Sequence, residues 1–114
     1  MNLIRFALAV AATVAVGIAA ASAAELKGKS TTQGGSKPFC KGSTSISGSI
    51  NGDVITIATP LSAGGTAVAK GRIDKSGSFK ASGQRFTFSG TARKTRASGN
   101  WKGPSCYGTF SLRG

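Results

Sequence analysis

The stretch Ser43-Thr44-Ser45-Ile46-Ser47-Gly48-Ser49-Ile50-Asn51-Gly52-Asp53-Val54-Ile55-Thr56-Ile57-Ala58-Thr59 decides the fold. Residues 43–50 and 53–59 each show a period of two, the spacing at which side chains of one strand share a face. Between them stands Asn51-Gly52, the strongest short hairpin signal, because a type I′ turn needs positive φ at both central residues. The pattern predicts two antiparallel strands joined by a tight turn.

Working outward, the same grammar continues to the C-terminus. Pro60 and Ser62-Ala63-Gly64-Gly65 break the chain, and residues 66–73 and 78–82 flank the turn Asp74-Lys75-Ser76-Gly77. Gly83-Gln84 leads into a strand over 85–92, and Arg93-Lys94-Thr95-Arg96 turns into 97–102. Gly103-Pro104 turns again before a closing strand over 106–113. In that strand Cys106, Gly108, Phe110 and Leu112 share one face, with Tyr107, Thr109, Ser111 and Arg113 opposite. No window carries the apolar spacing of a helix. The motif glycine–any–large apolar recurs as Gly48-Ser49-Ile50, Gly71-Arg72-Ile73, Gly77-Ser78-Phe79, Gly99-Asn100-Trp101 and Gly108-Thr109-Phe110. It sets an inward gap beside each inward bulky side chain, as at the corners of a small barrel. The expected fold is all-β, a small antiparallel barrel or strongly coiled sandwich of about seven strands.

The segment before this body reads differently. Arg5 precedes an uncharged Ala- and Val-rich run, and Ala21-Ser22-Ala23 supplies a small-residue cleavage site, so residues 1–23 read as a secretory signal peptide. Residues 24–38 are polar, rich in Gly, Ser, Thr and Lys, and read as a flexible segment ahead of a β domain over 39–114. An exported chain is oxidised, so Cys40 and Cys106, the two cysteines, read as one disulfide that staples a thin core. The expected location is periplasmic or secreted.

The closing stretch, residues 97–110, contains Gly99-Asn100-Trp101-Lys102-Gly103 followed by Cys106-Tyr107-Gly108-Thr109-Phe110. It resembles a family of small exported Gly-rich β-domains of α-proteobacteria, whose C-terminal motif is G-x-W-x-G…C-x-G-x-[WF]. The resemblance implies this fold and export, and implies no particular activity.

Composition excludes most chemistry. There are 114 residues, no histidine, and 3 acids against 15 Lys and Arg, a formal net charge of +12. Those acids are Glu25, Asp53 and Asp74, the latter two in turns, where aspartate caps its own backbone. Paired-carboxylate, triad and metal chemistry therefore lack their residues, and neither a cofactor nor an enzymatic activity is expected. Gly28-Lys29-Ser30 imitates the end of a phosphate-binding loop, but Ala23 stands where the first glycine is required.

What remains is charge. Removing residues 1–23 takes away only Arg5, leaving 14 basic and 3 acidic side chains, net +11. Small domains stay soluble with a charge magnitude of about 2–8, so this excess points past solubility to an anionic polymer or envelope surface. The expected contacts are Arg93, Lys94 and Arg96 at one turn tip, lengthened by Arg85, Lys80 and Lys102, with Arg85 or Lys102 close to the tip across the hairpin. The ligand class is lipopolysaccharide phosphate, acidic polysaccharide or extracellular nucleic acid. The alternative is a small exported protein-binding or inhibitor module whose charge serves solubility alone. A barrel carrying a small apolar ligand ranks third, because the large apolar residues barely fill a core.

Overall fold

Isoleucine, phenylalanine, threonine and serine at alternating positions, punctuated by glycine, favour pleated strands over helix. A computed structural model describes residues 23–61 and 64–114. They form eight strands: β1 (Ala23–Gly35), β2 (Gly42–Asn51), β3 (Val54–Pro60), β4 (Thr66–Ile73), β5 (Ser78–Gly83), β6 (Phe86–Arg93), β7 (Arg96–Lys102) and β8 (Cys106–Arg113). Each strand runs antiparallel to the next, and β1 also pairs with β8, closing the barrel. The all-β barrel read from the sequence is present.

The eighth strand is a correction. Residues 24–38, read as flexible, supply most of β1, which pairs with β2 from Ala23 to Thr32 and with β8 from Lys27 to Gly35. Its inward residues are mostly small: Leu26 is the one large side chain, followed by Gly28, Ser30 and Thr32. A Cβ on Gly28 would run into the backbone carbonyl of Ser111, so β8 approaches too closely for bulk there. Gln33 is the extra residue of a bulge between Thr32 and Gly34, re-aiming the strand toward the loop that carries Cys40. Of the expected signal segment, residues 1–23, all but Ala23 lie outside the described residues, as do Ser62 and Ala63 of the β3–β4 connection.

Turn positions shift slightly from expectation. Asn51 pairs with Val54, so Gly52 and Asp53 make the β2–β3 loop, with Gly52 at φ 66°. Two adjacent turn residues with positive φ occur instead between β5 and β6, at Gln84 (φ 42°) and Arg85 (φ 72°). Arg85 is thus a turn residue and not the start of a strand. Gly77 takes φ 92° in the β4–β5 turn, as its position requires; it is a turn glycine, unlike the other four of the recurring motif.

That turn is held by its aspartate. Asp74 Oδ1 accepts from Ser76 Oγ at 2.6 Å, Ser76 N at 2.9 Å and Ser78 N at 3.0 Å. The Ser76 hydroxyl, followed by the backbone N–H groups of Ser78, Ser76 and Gly77, holds the carboxyl below its ordinary value against an opposing desolvation. A depressed folded pKa contributes stability above the unfolded pKa and loses it as pH falls through the folded one. Asp74→Asn is therefore expected to melt below the parent at neutral pH, with the difference closing in acid, below the ordinary carboxylate range. Parallel thermal melts at the two pH values check this.

Inward faces of all eight strands build one core. Ile55 and Ile57 are fully buried, Leu26, Phe88 and Leu112 nearly so, and Phe79 and Phe110 stack edge-on to their neighbours. The row Phe79–Gly90–Gly99–Phe110 crosses β5, β6, β7 and β8, with each residue directly opposite the next. The two glycines leave room for the flanking rings to meet above them, centroids 6.1 Å apart. A Cβ on either would collide with the opposing carbonyl, of Ser98 or Ser89. Gly99 belongs to the recurring motif, and Gly90 faces it from outside the motif.

Outward positions are mostly Ser, Thr and cations, with Val68 and Tyr107 the exposed large apolar side chains on the strands. That polarity, apolar inside and charged outside, is the reverse of a barrel whose outer wall faces lipid. Cys40, in the β1–β2 connection, is bonded to Cys106 at the start of β8, with Cα atoms 5.2 Å apart. The same connection is tied to the β7–β8 loop by Ser36 N–H donating to Ser105 O at 2.9 Å. A disulfide of this kind is compatible with an oxidising, exported location.

Candidate anion-binding face

Alternation and register together decide where the cations lie. Each cationic side chain after residue 23 is exposed. Because all pairs are antiparallel, the barrel has two ends. One carries the β2–β3, β4–β5 and β6–β7 turns, and the other carries the disulfide, the β5–β6 turn and the β7–β8 loop.

At the first end four cations stand in one transverse line. Arg93 on β6 is opposite Arg96 on β7, Arg96 is opposite Arg113 on β8, and Arg113 is opposite Lys27 on β1. Directly opposed outward Cβ atoms lie about 4.5–5.5 Å apart, so the line spans four strands with about one charge per strand spacing. Lys94 projects from the two-residue turn at its edge, held at φ 32°. Gly114 N–H donates to Thr95 O at 2.8 Å, tying the end of β8 to that turn. Lys29, one outward step from Lys27, adds a further charge beside Ser111.

No acid interrupts this line. Asp53 pairs with Arg72 at 3.5 Å, the one ion pair among the described residues. Asp74 is engaged in its own turn. Glu25 flanks Lys27 on β1 and faces Ser49 on the other side. The three acids thus lie on β1 and in the β2–β3 and β4–β5 turns, among Lys27, Arg72 and Lys75, while Arg93, Lys94, Arg96 and Arg113 have no acid on their own strands or turn.

The six expected contacts do not form one patch. Arg93, Lys94 and Arg96 come together as read. Lys102 lies six residues up β7 from Arg96, about 20 Å along the strand, and Arg85 stands in the turn at the opposite rim. Neither is close to the tip, because the hairpin places its turn and its strand ends at opposite ends of the barrel. Lys80 is opposite Ser89 and Arg72, on the wall between the two ends. Lys80 and Lys102 instead border a shallow outer groove with Asn100, Gln33 and the half-exposed Tyr107.

Two members of the line, Arg113 and Lys27, were missed as contacts. Arg113 was legible as outward, but its alignment with Arg96 needs the β7–β8 register. Lys27 was hidden because β1 was not recognised as a strand. No family model matches the chain, and none of the curated proteins compared with it matches either.

Proposed function

We propose that this protein is a non-enzymatic, exported module that binds anionic polymers through the Lys27–Arg113–Arg96–Arg93 line. The single observation carrying the reading is that line itself. Like charges directly opposite on neighbouring strands destabilise a sheet, and here three such pairs follow one another with no intervening acid. A polymer bearing phosphates, sulfates or carboxylates laid across β6, β7, β8 and β1 relieves that repulsion and releases its own counterions. Lipopolysaccharide phosphates, acidic polysaccharide and extracellular nucleic acid share this chemistry. Among the described residues the exposed rings, Phe39 and Tyr107, both stand at the disulfide end, away from this line, so base stacking contributes little and affinity rests on charge. Export is supported by the reading of residues 1–23 and by the disulfide.

The proposal links stability and binding with opposite signs. Arg96→Glu turns two like-charge pairs into two opposite-charge pairs and is expected to raise stability by roughly 1 kcal/mol, about 4–8 °C in Tm. The same change is expected to weaken binding to a sulfated polysaccharide and to lower the slope of log K against log salt by about one to two units. Melting curves and binding at two salt concentrations read both effects. Unchanged binding returns the charge to solubility, and salt-independent binding to one protein favours the inhibitor reading.

A further inference from the structure

The disulfide end of the barrel is hollow, and it is remote from the cationic line. Ser30 and Thr32 of β1, Thr44 of β2 and Thr59 of β3 face Phe86, Phe88 and Trp101 across a cavity of about 120 Å³. Ser30 and Thr59 are the only polar side chains buried among the described residues. Trp101 turns inward from β7, and its indole Nε1–H is buried with no acceptor. A buried donor without a partner is uncommon in a native fold, and such an orphan asks what accepts from it. The Phe86 and Trp101 rings, 6.1 Å apart and tilted by 53°, separate the cavity from a rim depression containing Leu61, Pro104 and the exposed Phe39. Gln84 and Arg85, the two-residue β5–β6 turn, edge that depression. The disulfide fixes the opposite edge through Cys106.

We propose that this mouth binds a small, uncharged, ring-bearing amide. At about 120 Å³ the cavity is smaller than the apolar cavity of about 150 Å³ that accepts benzene, so it takes the amide group while the ring rests at its mouth against Phe86 and Trp101. These two side chains contact the ring face and edge. The amide carbonyl accepts from Trp101 Nε1–H, and its N–H₂ donates to the hydroxyl wall, whose members both donate and accept. No charged side chain lines the cavity, which selects against an ionised ligand. Mouths of β-barrels are recurrent places for such sites, with apolar walls and a few converging polar groups.

The test uses the folded, disulfide-bonded chain and benzamide as probe. Trp101 is the one tryptophan, so its fluorescence and its single indole N–H resonance report on the site without ambiguity. The expected result is a saturable change in both, with millimolar affinity, and a response to benzene at least tenfold weaker because benzene offers no acceptor. Thr44→Leu, at the accessible lip of the cavity, is expected to abolish the response while leaving the remaining backbone resonances in place. Thr59→Val, which keeps shape and removes a hydroxyl, is expected to weaken it severalfold. Three results overturn the proposal: no saturable response to benzamide, a response unaffected by Thr44→Leu, or a long-lived water on the indole N–H that benzamide does not displace. Arg96→Glu should leave benzamide binding unchanged, so this site and the anion-binding face succeed or fail separately.

Discussion

Gly90→Ala is expected to lower the melting temperature by roughly 10–20 °C, although it adds a single methyl group. The added Cβ points at the backbone carbonyl of Ser98 and comes within 2.7 Å of Gly99 Cα, where no side chain can rotate aside. Relief requires β6 and β7 to separate, and overpacking of this kind costs about 1–3 kcal/mol even where side chains can yield. A domain this small loses about 4–8 °C per kcal/mol. Separation would also part Phe79 from Phe110, whose edge-on contact spans the Gly90–Gly99 pair. Thr91→Ala, the adjacent outward position on β6, is the control and is expected to stay within about 0.5 kcal/mol of the parent. Equal melting of the two variants would contradict the inward gap at the Gly90–Gly99 pair.

The second large effect is expected from the double variant Cys40→Ala/Cys106→Ala. The bond joins residues 66 apart in sequence, and in the chain-entropy account a loop of that size contributes about 4 kcal/mol. Total stability of a domain is about 5–15 kcal/mol, so the bond contributes a large part of it. The site of attachment matters as well. Cys40 follows β1, a strand whose inward side chains are mostly small, and Cys106 opens β8, its partner in closing the barrel. The variant is expected to melt roughly 15–30 °C below the parent, with the parent in reductant behaving likewise. Identical melting curves with and without reductant would remove the staple from the account.

Much of this architecture was legible because hairpins are local. The seven strands from residue 42 onward announce themselves by period two and by turn residues, and the inward placement of Phe88, Phe110 and Leu112 follows from parity alone. β1 escaped notice because its inward positions hold Gly28, where β8 approaches closely, and Ser30 and Thr32, which line the cavity. Its existence was still implied. A closed barrel in which every neighbour is antiparallel needs an even number of strands, since the first and last must also oppose each other. Seven strands leave the barrel open. The candidate site was legible only at the Arg93–Arg96 turn, where sequence neighbours are spatial neighbours. Arg113 and Lys27 join it through register between strands distant in sequence, and Arg85 and Lys102 leave it because a hairpin separates its turn from its strand ends. The hollow mouth was not legible at all, for serine and threonine at inward positions look in sequence like serine and threonine on a surface.

The central claim is that geometry, and not net charge, makes the anion-binding face. It is tested most directly by comparing two charge-matched double variants, Arg96→Ser/Arg113→Ser at one end and Arg85→Ser/Lys102→Ser at the other. Each removes two positive charges from exposed positions. The measurement is the slope of log K against log salt for a sulfated polysaccharide. The account predicts a slope reduced by about one to two units for Arg96→Ser/Arg113→Ser and close to the parent's for Arg85→Ser/Lys102→Ser. Equal slopes for the two variants would contradict it.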